Sequence, residues 1–334
     1  HDVVDENADR TGERSSYGTA SGGNLDLMEL VGRVPGIDIA VGGHTHQGYA
    51  EPWVDPVNHT ICFETFGNGS SLGHAILEVD RQTGTLLGWQ APHDRGTIVT
   101  LFEDEIWPDP ATTEVIRPHR ERTEAEMGKV LGRLTANAPR GGPGANLVGN
   151  LVTDAMRDHF QAEFAVQNLG GLRADLVAGD VTARDVFSVL PFGNDVVVAQ
   201  IPGDLLRRIL ERKVASTSSG LCISGGEVVF DSSRPDGERL CRFTIGGQPL
   251  DPQRKYRVAV SSYLMAGNSG MDLLTTVPET DVELTQITDA EALEAYLSKH
   301  SPVRPRLDDR WVEDKGCVRE PYLAAPVAEA AVAP

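Results

Sequence analysis

Ile37-Asp38-Ile39-Ala40-Val41-Gly42-Gly43-His44-Thr45-His46-Gln47 is the stretch around which the rest of this chain is organised. Its apolar half, Ile37–Val41, predicts a buried strand of a parallel sheet that ends at the paired glycines. Enzymes of the α/β class place their chemistry at that edge of the sheet. His44 and His46 follow, and side chains two residues apart in extended backbone point the same way. The stretch therefore predicts a metal site, because imidazole is a common ligand of divalent transition metals. A polar turn whose histidines bond nearby carbonyls is the alternative interpretation.

Composition narrows the classes of partner. The chain has 334 residues, of which 40% are hydrophobic and 24% charged, and its net charge is −19. This length accommodates two domains with separate cores. The acidic balance argues against nucleic acid or an anionic membrane as a partner, because both attract basic surfaces. A phosphate substrate stays possible, since a local Arg or metal ion can reverse the field within one cleft. No apolar run in the sequence reaches the length of a membrane span.

Apolar patterning predicts two domains joined by a polar helix. A first domain over residues 1–105 is predicted from one helix and a set of strands, at 25–34, 37–41, 61–65, 75–79 and 85–89. Residues 106–129 are charged and helical in composition, which predicts an exposed bridging helix. Residues 130–312 mix strands and helices, so the predicted class is α/β followed by α+β. Residues 313–334 end in a low-complexity run and are predicted to be a disordered tail.

The second domain carries clear local signals. Its predicted strands lie at 130–134, 163–167, 195–201 and 256–260, and its longer helices at 146–156, 204–214 and 289–297. Thr182 and Thr288 are placed to cap helices. A hairpin is predicted to turn at 234–237. Cys222 and Cys241 bracket this hairpin, so a disulfide between them and two free buried thiols are both open.

Three motifs in this domain have the chemistry of a substrate site. Asn168-Leu169-Gly170-Gly171-Leu172-Arg173 follows a predicted strand; its glycines let backbone amides approach an anion, and an Arg can hold a phosphate with two hydrogen bonds. A tight turn with a surface Arg is the alternative for this motif alone. Leu190-Pro191-Phe192-Gly193-Asn194 and Ser262-Tyr263-Leu264-Met265-Ala266-Gly267-Asn268-Ser269-Gly270 each supply an aromatic ring. Such rings stack on nucleobases, although a lone aromatic is more often part of a core.

These motifs, together with residues 34–47, resemble the 5′-nucleotidase / UDP-sugar hydrolase / 2′,3′-cyclic-nucleotide phosphodiesterase family over residues 1–312. The resemblance implies the C-terminal part of a metallophosphoesterase β-sandwich domain, followed by an α+β 5′-nucleotidase C-terminal domain. It implies that His1, His44 and His46 are ligands of two divalent ions (Zn, Mn or similar). It also implies substrate-binding roles for one set of residues: Asn168, Gly170, Gly171, Arg173, Phe192, Asn194, Tyr263 and Ser269. Phe192 and Tyr263 are expected to sandwich a nucleobase, with Arg173 at the rim of their cleft.

The sequence also departs from the family pattern. The family's earlier ligand blocks and its catalytic His lie upstream of these motifs, so the chain is expected to be a fragment that is inactive alone. Ser269 stands where the family has an Asp that holds the ribose hydroxyls, and Asn268 replaces the Gly before it. Leu147 stands where some members have a basic residue. Ser269 predicts a weakened preference for ribose, and the two departures together weaken the case for a nucleoside monophosphate held in the family's usual way.

The resulting hypothesis is a metal-dependent phosphoester hydrolase that acts on a small nucleotide-like molecule, periplasmic or extracellular by family resemblance. Two alternatives are a thiosulfohydrolase of the same fold and a non-catalytic nucleotide-binding protein. Intact upstream ligand blocks would favour hydrolysis, and their loss would favour binding.

Overall fold

A computed structural model describes residues 27–43, 46, 48–92, 94, 96–102, 104–142, 144–214 and 220–323. The chain divides into two compact units, residues 1–115 and 116–334. Among the helices of these described ranges, none is both long enough and apolar enough to span a bilayer.

The first unit is built from short strands and one helix. Its described elements are α1 (Leu27–Arg33), β1 (Ile39–Val41), β2 (Trp53–Val54), β3 (Ile61–Phe63), β4 (Ser71–Gly73), β5 (Ile76–Val79), β6 (Leu86–Gln90) and β7 (Ile98–Thr100). Strand β1 pairs in parallel with β3, β2 completes that sheet, and β4–β7 and β5–β6 form antiparallel pairs. The predicted strands and the β5–β6 hairpin are therefore present.

The prediction that the first strand is buried is wrong for β1. Ala40 is 9% exposed and belongs to a small core with Met28 and Val31 of α1. Ile39 and Val41 point to the opposite face, as alternation along a strand requires, and are 36% and 74% exposed. Within the described residues the strand is therefore covered on one face only.

Helix α2 (Pro110–Met127) is the predicted polar helix. None of its residues is buried, and Pro118 lies within it. A helix that is polar all round has no apolar face to bury against a core. The division between the two units falls inside this helix.

The second unit contains most of the regular structure. Its described elements are β8 (Val130–Leu134), α3 (Leu147–Phe160), β9 (Phe164–Asn168), β10 (Gly179–Thr182), α4 (Ala183–Val189), β11 (Asp195–Pro202), α5 (Gly203–Lys213), β12 (Leu221–Ser224), β13 (Gly226–Phe230), β14 (Leu240–Ile245), β15 (Gln248–Pro249), β16 (Lys255–Ser261), α6 (Ser262–Met265), β17 (Val282–Thr288), α7 (Asp289–His300) and β18 (Trp311–Glu313).

A five-stranded sheet in the order β12-β9-β16-β11-β17 forms the centre of this unit. Strands β9 and β16 are parallel and the other neighbours are antiparallel, which agrees with the predicted α+β class. Alternate residues of β9 enter two different cores. Phe164 and Val166 pack with residues of α5 and of the β13–β14 hairpin, whereas Ala165 packs with residues of α3 and α7.

Helix starts follow the predicted caps. Thr182 and Thr288 each accept a hydrogen bond from a backbone N–H one turn later and close a capping box, with Asp185 and Glu291 respectively. Asn146 caps α3 by accepting from Gly149 N. Short polar side chains at these positions satisfy N–H groups that a helix cannot pair internally.

The predicted disordered tail is wrong for residues 313–323. Glu313 ends β18, which pairs in parallel with β13, and Leu323 is fully buried. Cys317 forms a disulfide with Cys241. Neither a Cys222–Cys241 disulfide nor a pair of free thiols is found. Cys222 is a free buried thiol, and Cys241 pairs with Cys317 instead.

Candidate functional site

The three substrate motifs converge on one edge of the central sheet. Because β9 and β16 are parallel, their carboxyl ends, Asn168 and Ser261, meet at the same edge. Strand β11 runs antiparallel to β16 and pairs Val196 with Ser261, so the turn 190–194 that precedes it reaches that edge as well. Topology therefore brings together residues that are distant in sequence.

The Asn168–Arg173 motif forms a tight turn that covers the Asn168 side chain. Leu169–Gly171 is a single 3-10 turn, and the Asn168 side chain lies beneath both glycines. A Cβ at Gly171 would lie 3.0 Å from Asn168 Oδ1, so glycine keeps the turn close to the sheet. Asn168 is 8% exposed, so its side chain is buried beneath the turn. A carboxamide at this place carries both a donor and an acceptor.

Arg173 and Phe192 are brought into direct contact. The Arg173 guanidinium carbon lies 5.8 Å from the centroid of the Phe192 ring, within the range of a cation–π interaction. Arg173 Nη1 also donates to Gly170 O at 3.3 Å, which holds the cation beside the glycine turn. The Phe192 side chain is 58% exposed, so its ring is accessible to a planar ligand. Gly193, which follows, has a φ of 61° and allows the turn into Asn194.

The loop after β16 presents Tyr263 and Ser269. Tyr263 lies in the short helix α6, is 42% exposed, and accepts a hydrogen bond through its backbone carbonyl from Asn268 Nδ2 at 3.0 Å. Ser269 adopts a left-handed backbone with a φ of 54°. Its carbonyl accepts a hydrogen bond of 2.7 Å from Lys213 Nζ. Burial lowers the pKa of Lys213, which is 3% exposed. The expected face-to-face arrangement of Phe192 and Tyr263 stays a prediction.

Sequence reasoning missed the side chains that support this edge. Lys213 fixes the loop from α5, and the buried pair Gln167–Asp289 lies behind the turns. Asp289 N donates to Asn194 O at 3.0 Å. These contacts join residues up to 122 positions apart, and no local pattern signals them.

The predicted metal site lies mostly outside the described residues, which exclude His1 and His44. His46 is exposed, and its φ of 61° is left-handed, so the extended backbone assumed for the histidine pair is not found at this residue. Its ring lies against Gly67, where a Cβ would come within 2.4 Å of His46 Cγ. Within the described part of the chain, no three His, Cys, Asp or Glu side chains are grouped closely enough to hold an ion. These residues by themselves therefore do not make a metal centre.

A cavity of about 420 Å³ lies away from the predicted site. It is lined by residues that include Ser224, at the end of β12 opposite to the Asn168 edge. Arg310 in its wall is neutralised by Asp154, at 2.9 Å, and by Asp308. Because the pair with Asp154 and the backbone bond to Ile223 O already use its donors, this cavity is a weaker ligand-site candidate than the turn edge.

The part of the chain that carries the three substrate motifs is similar to known proteins. The family model described as the 5′-nucleotidase C-terminal domain matches residues 126–276, which include every predicted substrate residue. This match identifies residues 126–276 with the 5′-nucleotidase C-terminal domain family. The protein UshA of Yersinia enterocolitica is 31% identical over 222 residues, which cover 65% of this chain and 38% of that protein. The 5′-nucleotidase of Vibrio parahaemolyticus is 30% identical over 211 residues, covering 61% of this chain and 36% of that protein.

A solved structure extends the likeness to the first unit of the chain. The 5′-nucleotidase precursor of Thermus thermophilus superposes with a TM-score of 0.67 at 25% identity, over 86% of this chain and 61% of that one. The predicted fold class is confirmed by this likeness and by the mixed sheet. The chain spans less than half the length of the two curated relatives.

Proposed function

We propose that this chain is the nucleotide-binding part of a metal-dependent phosphoester hydrolase of the 5′-nucleotidase family. The observation that carries the proposal is the convergence of the three motifs on one sheet edge, with Arg173 over the exposed Phe192 ring. The match of residues 126–276 to the 5′-nucleotidase C-terminal domain supports the reaction class, and one of the similar proteins is a 5′-nucleotidase. The proposed ligand is a nucleoside monophosphate or a closely related phosphoester.

Each residue of the edge has a physical role in this proposal. Phe192 and Tyr263 stack on the base, a contact that tolerates different bases because each has a π face. Arg173 offers charged donors to the phosphate, and Gly170 and Gly171 leave the backbone open to it. The buried Asn168 carboxamide offers a donor and an acceptor to the ligand. Asn194 and Ser269 complete the proposed set at the ends of their turns.

The metal dependence of the reaction rests on His1, His44 and His46, two of which lie outside the described residues. Bound divalent ions supply activated water and stabilise phosphoryl charge in such hydrolases. The disulfide Cys241–Cys317 supports a periplasmic or extracellular location, because disulfides persist in oxidising compartments.

The test is AMP binding to the chain by isothermal calorimetry. Phe192→Ala and Tyr263→Ala are each expected to weaken binding roughly 5- to 150-fold, the effect of losing one base–aromatic stack. Phe102→Ala is the matched control, because Phe102 is a 50% exposed Phe of the first unit. Failure of the unaltered chain to bind AMP, or unchanged binding by both site variants, would refute the proposal. Phosphate release in the presence of Mn²⁺ or Zn²⁺ separates hydrolysis from binding alone.

A further inference from the structure

Gln167 and Asp289 form a buried pair whose hydrogen bonding is half complete. Gln167 is fully buried and Asp289 is 1% exposed. Gln167 Nε2 donates to Asp289 Oδ2 at 2.9 Å. The carboxamide oxygen Gln167 Oε1 and the second carboxyl oxygen Asp289 Oδ1 have no hydrogen-bond partner among the described residues. Both atoms are acceptors when Asp289 is ionised, and a buried acceptor without a donor is costly.

The pair lies directly behind the proposed nucleotide site. Gln167 precedes Asn168 in β9, and strand alternation turns it toward α7, on the face where Ala165 packs. A Cβ at Gly171 would lie 3.5 Å from the Gln167 side-chain carbonyl carbon, so the glycine turn rests on this group. On the other side, Asp289 N donates to Asn194 O at 3.0 Å. The pair therefore connects the turn 168–173 with the turn 190–194.

The surroundings of Asp289 favour the neutral acid. Burial is the largest cause and raises the pKa of Asp289 to about 6, and the negative charge of Asp195 on β11 adds to it. The bond from Gln167 and backbone N–H groups oppose the shift. On α7 itself, Glu291 is held in its charged form by Thr288, and His159 of α3 acts on Glu291.

A protonated Asp289 can complete the pair. Its Oδ1–H would donate to Gln167 Oε1 while Gln167 Nε2 donates to Oδ2, so that an acid and an amide share two hydrogen bonds. The proton comes from solvent and no other bond changes. In the ionised form the second bond is absent and two acceptors are left buried.

We propose that Asp289 is a proton-dependent positioning residue of the nucleotide site, whose neutral carboxyl ties the turn 168–173 to the turn 190–194 through Gln167. The identity of the ligand in this inference rests on the proposed function. The pairing of Asp289 with Gln167 does not. Since the folded pKa lies above the ordinary value, the stabilisation is complete below the ordinary pKa of 3.8 and is lost as pH rises through about 6.

The first experiment needs no nucleotide. Backbone amide shifts of Gly171 and Asn194 are followed by NMR from about pH 5 to about pH 8 and are expected to titrate together with the Asp289 carboxyl. Asp289→Asn is isosteric with the neutral acid and can make both bonds, so its shifts are expected to stay flat. Asp195→Asn removes a neighbouring negative charge and is expected to move the midpoint to lower pH. An Asp289 that ionises below about pH 4.5, or amides that do not follow it, would overturn the inference.

The second experiment adds AMP. The unaltered chain is expected to bind AMP roughly fivefold more weakly above the midpoint than below it, the effect of one lost hydrogen bond, whereas Asp289→Asn binds equally at both pH values. AMP itself gains negative charge near pH 6, which affects both proteins. The quantity compared is therefore the ratio of the two proteins' dissociation constants for AMP at each pH. A constant ratio contradicts the positioning role. If neither protein binds AMP, the proposed function fails while the NMR titration still decides the pairing.

Discussion

Lys213 fixes the loop that carries Ser269 through the backbone, and the side chain at position 269 takes no part in that contact. Its Nζ donates to the Ser269 carbonyl at 2.7 Å from a position that is 3% exposed. A change of side chain at this position therefore leaves the anchor in place. The left-handed φ of 54° is also one that Asp and Asn tolerate better than most residues.

Ser269→Asp is expected to restore a preference for ribose. A carboxylate accepts hydrogen bonds from both ribose hydroxyls with charge assistance, whereas serine offers one neutral hydroxyl. The variant should discriminate AMP from deoxy-AMP by about 1.5–3 kcal/mol more than the unaltered chain. Calorimetric titration with both nucleotides measures this difference. Equal discrimination by the two proteins would show that the substitution at this position is silent.

Gly149 gives a prediction about packing inside the second unit. A Cβ at this buried position of α3 would lie 2.1 Å from Cys222 Sγ. Alanine favours a helix over glycine by about 1 kcal/mol, but overpacking a core costs about 1–3 kcal/mol. Because the contact is far too short, we expect Gly149→Ala to lower the free energy of unfolding by about 1–2 kcal/mol.

Urea unfolding measures the effect, and Cys222→Ala is the partner for a double-mutant cycle. Removing Sγ leaves the Cys222 Cβ at 2.9 Å, so the double variant is expected to recover part of the loss. Additive losses in the double variant would show that the two side chains do not compete for the same space.

At the scale of elements, the capping box of α4 helps to position two motifs of the proposed site. Thr182 accepts from Asp185 N, and Asp185 Oδ2 accepts from Thr182 N at 2.7 Å. Helix α4 leads into the turn 190–194, and its Val189 carbonyl accepts from Arg173 N at 2.9 Å. The start of this helix therefore helps to set the position of two substrate motifs.

Thr182→Ala is expected to lower the free energy of unfolding by about 1 kcal/mol, the usual cost of a lost N-cap. Thr182→Ser keeps the hydroxyl and is the matched control, with a change of a few tenths of that amount. Thermal and urea unfolding of both variants check the prediction. A loss as large in the Ser variant as in the Ala variant would assign the effect to the Thr methyl group.

The elements show which parts of this fold are readable from sequence. Strand alternation, helix periodicity and caps are local, so β8, α3 and the start of α7 at Thr288 lie where they were predicted. The Cys241–Cys317 disulfide joins residues 76 positions apart, and the Gln167–Asp289 hydrogen bond joins residues 122 positions apart. No local sequence pattern predicts contacts at such separations. The motifs of the site were recognisable because two are short turns after a strand and the third is a short turn between a helix and a strand, but their meeting at one edge is a consequence of sheet order.

At the scale of the whole molecule, the net charge of −19 contrasts with the local chemistry of the proposed site. Arg173 at the turn edge is the group expected to hold an anion against that general field. A charged ligand approaching an acidic protein is repelled at long range, and salt screens this repulsion. Bound metal ions would also attract an anionic ligand, as Arg173 does.

The disulfide closes residues 241–317 of the second unit into a covalent loop. Cys241 and Cys317 are 76 residues apart, and the segment after Cys317 is also held by noncovalent contacts, including Tyr322 Oη to Phe243 O at 2.6 Å and the buried Leu323. Closing a loop of this length restricts the unfolded chain and stabilises the folded one by on the order of 4 kcal/mol. The noncovalent contacts are expected to keep the segment docked after reduction, so the fold should weaken without being lost.

Reduction is therefore expected to lower the free energy of unfolding by on the order of 4 kcal/mol. Urea unfolding with and without dithiothreitol measures the change, and the doubly substituted Cys241→Ala/Cys317→Ala chain should match the reduced protein and be insensitive to the reductant. Cys222→Ala serves as the control, because Cys222 is a free buried thiol whose removal should leave the response to reductant intact. A protein that unfolds at the same urea concentration in both redox states would show that the disulfide contributes little.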